Sequence, residues 1–169
     1  MKNLILNLIT GASIICSSCS TVAYLPDING IAKNQYGSYI EILLVGNYYL
    51  KGELIAVNPK KVFVLKNDKN FMQLDSVSLT EIKNFTLRYA KGKAKNYAWT
   101  IPASAAITIS HGWFLIFSLP INLLTTTIVT TNAGSSFALN KYDIMWDELS
   151  KFARFPQGIP PNIQLKDIK

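Results

Sequence analysis

Residues 39–89 read YIEILLVGNYYLKGELIAVNPKKVFVLKNDKNFMQLDSVSLTEIKNFTLRY, and the reading of this stretch decides the fold. Beta-branched and aromatic residues crowd it, and turn-forming residues recur at short intervals. The pattern predicts five short strands, at 39–45, 49–57, 61–66, 71–78 and 83–89. Gly46-Asn47 can take positive φ, Asn58-Pro59 opens a turn and 67–70 is a polar loop, so each break favours a hairpin. A single helical turn is expected at 79–82. Gly52 falls inside the second strand, where a missing side chain permits the bend that curls a small sheet toward a barrel.

Five bent strands, with glycine in the second and a short turn before the fifth, resemble the Sm-like and SH3-like small barrels. The resemblance implies an α+β fold whose residues 38–90 form a small five-stranded β-barrel. In the RNA-binding Sm family one loop carries an acidic residue and a later one an arginine-glycine pair. Here the matching stretches read Val57-Asn58-Pro59 and Arg88-Tyr89, so the resemblance does not bring RNA binding with it.

C-terminal to this module the charge distribution changes abruptly. Lys83, Arg88, Lys91, Lys93 and Lys95 supply much of a formal net charge of +7, and then residues 96–140 contain no Lys, Arg, Asp or Glu. Pro102 suits the first turn of one helix, and Ser118 with Pro120 the start of another, so 91–140 reads as a basic connector and an uncharged apolar helical hairpin. Two spans of ~20 residues would just fit it. The hairpin is therefore expected either in a membrane or buried as a cap on the β module, since hydrophobicity alone does not separate the two. In the first case Lys91, Lys93 and Lys95 approach anionic headgroups, and Trp99 and Trp113 sit at the interfaces. With the N-terminus outside the cytoplasm those lysines break the positive-inside rule, which disfavours an inner-membrane hairpin.

Beyond it, Tyr142, Met145, Trp146, Leu149, Phe152 and Ala153 recur at helical spacing, which predicts a C-terminal helix over 142–154 that docks on the core. The tail from Phe155, with Pro156, Gly158, Pro160 and Pro161, is expected to run extended over the surface to the end of the 141–169 segment.

At the other end, Met1-Lys2-Asn3 precedes an apolar run, 4–15, that is too short to span a bilayer and has the layout of a secretory signal. Ser17-Ser18-Cys19 then resembles the lipobox of bacterial lipoproteins, in its relaxed Bacteroidota form. The resemblance implies removal of 1–18, lipidation of Cys19 and a linker over 19–37. Ser20 lacks the acidic residue that retains enterobacterial lipoproteins at the inner membrane, so outer-membrane residence facing the periplasm is expected. Residues 110–117 and 151–158 also look like segments of an uncharacterised group of small Bacteroidota lipoproteins, which carries no known activity.

Catalytic chemistry finds little footing. Cys16 and Cys19 make a Cys-x-x-Cys pair, but zinc needs further ligands and the one histidine, His111, lies in the uncharged stretch with no nucleophile motif beside it. Asp147 and Glu148 are adjacent on a predicted helix, where neighbours point about 100° apart and do not converge on one bond. The sequence thus leads to the expectation of a cell-envelope lipoprotein with a structural or interaction role, no cofactor, no metal and no catalytic residue. Its expected partners are membrane lipid and an envelope protein, with no nucleic acid. An envelope enzyme built from scattered residues and a cytoplasmic Sm-like nucleic-acid binder are the alternatives.

Overall fold

A computed structural model of the chain describes residues 22–68, 71–163 and 168. The signal at 1–18 and Cys19 lie outside the described residues. The chain divides into two compact units: residues 92–136 belong to one, and 22–91 with the chain from 137 onward to the other.

The second unit is built on one antiparallel sheet with strand order β4-β3-β2-β1-β5-β6. Its strands are β1 (Tyr39–Leu44), β2 (Tyr49–Val57), β3 (Lys61–Asp68), β4 (Phe71–Ser78), β5 (Ile82–Arg88) and β6 (Ala138–Asn140). The turn chemistry read from the sequence operates largely as expected. Asn47 takes the left-handed conformation, with φ of 58°, between β1 and β2. The Asn58 carboxamide accepts from the backbone N–H groups of Lys60 and Lys61 and closes the β2–β3 turn. A 3-10 turn, Leu79–Glu81, leads into β5.

The class is α+β, but the sheet is open and does not form the expected five-stranded barrel. Closure would bring the free edge of β5 to β4. That edge is instead taken by β6, which pairs Thr86 with Asn140 and Arg88 with Ala138. Gly52 serves a different purpose from the one its position suggested: a Cβ there would lie 2.2 Å from the Leu65 carbonyl oxygen, so the glycine permits close approach of β2 and β3.

One face of the sheet carries the main core, with Ile40, Ile42, Leu54, Val64, Phe85 and Leu87 all but inaccessible to solvent. The C-terminal segment covers it, though not as the single helix expected over 142–154. A four-residue helix, Trp146–Leu149, runs into a 3-10 turn, Ser150–Phe152. Leu149 and Ala153 are buried and the Trp146 ring sits 4.9 Å from that of Phe85, whereas Tyr142 and Met145 point to solvent. Asp143 explains the late start: its carboxylate accepts from the Asn140 backbone N–H and holds 140–143 in a turn, so the helical stripe begins only after it. The tail does not lie loose on the surface. Phe155, Ile159 and Ile163 pack with Ile55, Leu65 and Ile168 in a second apolar cluster on the other side of the sheet.

The first unit is a helical hairpin. Its helices are α1 (Ala94–Tyr97), α2 (Thr100–Ile109) and α3 (Leu115–Ser135), joined by a turn through Gly112–Phe114; Trp146–Leu149 of the other unit is α4. The second long helix begins earlier than expected. Ser118 does not cap it: its hydroxyl donates back to the Phe114 carbonyl, and Pro120 lies inside the helix.

Candidate functional site

Two places in the structure merit a functional reading, one in each unit. The first is the hairpin, whose exposed face is apolar. On α3 as far as Val129 the exposed positions come in pairs four residues apart, 116/117, 120/121, 124/125 and 128/129, and Thr131, Asn132 and Ser135 are exposed beyond them. This outward face carries Ile116, Phe117, Ile121, Leu124, Ile128 and Val129. Across the hairpin from Ile107 to Val129 the exposed apolar side chains are between 48 % and 90 % accessible. The inward rows interleave Ser118, Asn122, Thr126 and the buried Thr130 with Leu115, Leu119, Leu123 and Thr127. A helix that folds against a partner in water turns polar side chains outward, which this face does not.

Most hydroxyls of the hairpin are satisfied from within. Hydroxyls donate to carbonyls three or four residues back: Ser104 to Ile101 at 2.9 Å, Thr108 to Ser104 at 2.6 Å, Thr125 to Ile121 at 2.9 Å and Thr131 to Thr127 at 2.9 Å. Between the arms, the half-buried Asn122 carboxamide donates at 2.8 Å to the hydroxyl of Thr108, which is closed to solvent. The Thr130 hydroxyl is an exception, buried with no partner among the described residues. At the open end the Lys93 backbone N–H donates to the Ala133 carbonyl at 2.8 Å. Gly92 lies so close to Gly134 that a Cβ would stand 2.1 Å from its carbonyl oxygen. The two arms are thereby clipped together where the chain enters and leaves.

Trp113, 90 % exposed, projects from the hairpin turn, and Trp99 is exposed at the start of α2. Lys93 and Lys95 are exposed at the clipped end, and Lys91 is half-buried just outside this unit. The residues singled out from the sequence for membrane contact thus fall at the two ends of the hairpin, Trp113 at the turn and Trp99, Lys93 and Lys95 toward the clip. The apolar outward face itself was not anticipated, although the four-residue spacing of Ser118, Asn122, Thr126 and Thr130 stands in the sequence.

The second place is a cavity of about 490 Å³ in the sheet unit, lined in part by Tyr24, Tyr36, Tyr39, Lys51, Glu53 and Arg154. Its back wall is an ion pair across 101 residues of chain. Arg154 Nε reaches Glu53 Oε1 at 2.7 Å and Nη2 reaches Oε2 at 2.6 Å, and the Gly37 backbone N–H donates to Oε1 at 2.6 Å. Arg154 also lies over the Tyr36 ring, 5.1 Å from its centroid. The Tyr24 hydroxyl is buried with no hydrogen-bond partner among the described residues. Burial, reinforced by the nearby Glu53 carboxylate, pushes its ionisation far above the ordinary tyrosine range. Burial, with Glu41 nearby, also raises that of Tyr39. The charges here are mutually engaged, since Lys51 pairs with Glu41 at 3.2 Å, so the wall is closer to a structural clamp than to a charged ligand cradle.

His111 is exposed at the hairpin turn, in a unit whose described residues include no carboxylate. Among the described residues no group of three His, Cys, Asp or Glu is placed to hold a metal ion. Compared with protein families, characterised proteins and solved structures, the chain matches none.

Proposed function

We propose that this chain is a cell-envelope lipoprotein, released from its leader at residue 18, anchored by lipid on Cys19 and holding its sheet unit at the periplasmic face of the outer membrane. Its role there is structural or interactive, not catalytic. The observation that supports a membrane address most strongly is the hairpin's apolar outward face. An outward face of Ile116, Phe117, Ile121, Leu124, Ile128 and Val129 would be a continuous exposed apolar patch, of a kind that monomeric proteins in water rarely carry. The leader and lipobox resemblance supplies the route, and several acyl chains on one cysteine hold stably where a single chain binds only marginally.

Fractionation of the native host tests the reading. Wild type is expected in the outer-membrane fraction and labelled by metabolically supplied fatty acid, with the label lost in Cys19→Ala. An unlabelled wild-type chain in the soluble fraction would refute it.

A further inference from the structure

We propose that the hairpin over 94–135 is a second membrane anchor that acts independently of the lipid, a wedge that enters the bilayer from one face and returns to it. This deepens the envelope reading by naming the hydrocarbon of the bilayer as what the outward face of α3 contacts, and it stands or falls separately from lipidation of Cys19.

Four observations converge on hydrocarbon in preference to a protein groove. The apolar surface spreads over both neighbouring rows of α3 and continues through Phe114 and Trp113 onto the turn, so no single stripe is offered to a partner helix. The Asn122–Thr108 bond ties the arms from the inward side, as expected of helices packed in lipid where small and polar residues join neighbours. Most of the polar side chains on the two arms donate back to their own helix, which leaves few of them unsatisfied in hydrocarbon. Gly112–Ser135 is long and apolar enough to cross a membrane, and none of its most apolar stretch is buried.

The clip sets the sidedness. Lys93 bonded to Ala133, and Gly92 against Gly134, bring entry and exit to the same end of the hairpin. Lys93 and Lys95 at that end meet the headgroups, while the far end, Ser110-His111-Gly112-Trp113-Phe114, carries no acid, lysine or arginine and can descend into the acyl region. At 1.5 Å per residue, α2 extends for about 15 Å and α3 for about 32 Å, against a hydrocarbon core of about 30 Å. The wedge therefore penetrates most of one bilayer from a single face.

The test uses the mature chain, 19–169, carrying Cys19→Ala, so that neither acyl chains nor leader contribute. It is mixed with vesicles of phosphatidylethanolamine and phosphatidylglycerol and floated on a gradient in 1 M salt. The chain is expected to float, and its tryptophan fluorescence to be quenched by lipids brominated on the acyl chain, with quenching reduced in Trp113→Phe. Adding Ile116→Lys and Leu124→Lys on the outward face is expected to lower partition more than about a hundredfold, with the circular dichroism of the sheet unit retained. A chain that stays at the bottom of the gradient, floats only at low salt, or floats equally well with both lysines overturns the proposal. Because lipidation is absent throughout, that result would leave the Cys19 reading standing, and an unlipidated native chain would leave the wedge standing.

Discussion

Replacing Arg154 by Met removes the cation and two of the three hydrogen bonds that the Glu53 carboxylate accepts. Glu53 would keep the Gly37 N–H alone, with its side chain only 7 % exposed. Truncating one partner of a buried pair costs about 3–5 kcal/mol, because the survivor remains desolvated and unpaired. Loss of the contact with the Tyr36 ring adds about 0.5–1 kcal/mol. Against a total stability of about 5–15 kcal/mol, the single substitution should bring the sheet unit close to unfolding. Replacing both residues, Glu53→Met with Arg154→Met, removes the stranded charge and leaves the Gly37 N–H without its acceptor, for which about 1–3 kcal/mol is expected. The double variant should therefore be more stable than the Arg154→Met single. The assay is urea unfolding of the detergent-solubilised chain in a Trp99→Phe, Trp113→Phe background, so that Trp146, packed on Phe85, reports the sheet unit. With a urea slope of about 1–3 kcal/mol/M, the single and double variants should differ in midpoint by about 1 M or more. A cost below about 1 kcal/mol for Arg154→Met, or a double variant that simply sums two large single effects, would refute the view that this pair clamps the C-terminal segment to β2.

Gly52→Ala sets a Cβ against the Leu65 carbonyl and should destabilise the sheet unit by at least the ~1–3 kcal/mol typical of overpacking, whereas Gly30→Ala, whose nearest neighbour is 3.5 Å away, should be near neutral; paired urea curves check both. Tyr24→Phe removes a buried hydroxyl that has no partner among the described residues, so thermal unfolding at neutral pH is expected to be unchanged or raised. The same residue gives a pH dependence with a definite sign. Its folded-state ionisation lies above the unfolded value of 10.0, so its contribution is complete below about pH 10 and falls away above it, where only the unfolded chain ionises. Stability measured from pH 9 to 11 should decline less steeply in Tyr24→Phe than in wild type. Asn122→Leu breaks the link to Thr108 inside the hairpin and should cost about 0.6–2 kcal/mol in bilayer or detergent, read as increased proteolysis of the hairpin turn.

The β meander was legible because its signals are local. Tyr49–Val57 and Phe71–Ser78 coincide with the strands read from the sequence, and the turn asparagines act where they stand. Barrel closure was misjudged because it depends on a distant segment. Ala138–Asn140 is too short to register as a strand in sequence, yet it pairs with β5 and removes the edge that closure would need. The C-terminal helix was overextended for a similar reason, since apolar spacing at Tyr142 and Met145 mimics a helical stripe that the Asp143 turn interrupts. At the hairpin, composition announced two apolar helices but not which way they face. Exposure decided that, by turning Asn122 and Thr130 inward and Phe117 and Leu124 outward. The Glu53–Arg154 clamp joins residues too far apart in sequence for any spacing rule to pair them.

The central claim, an envelope chain anchored through Cys19, is tested most directly by intact-mass spectrometry of the membrane fraction from the native host, wild type beside Cys19→Ala. The account predicts a wild-type chain that begins at Cys19 and carries added acyl mass, with that form absent from the variant. An unmodified chain that begins at Met1 would contradict it.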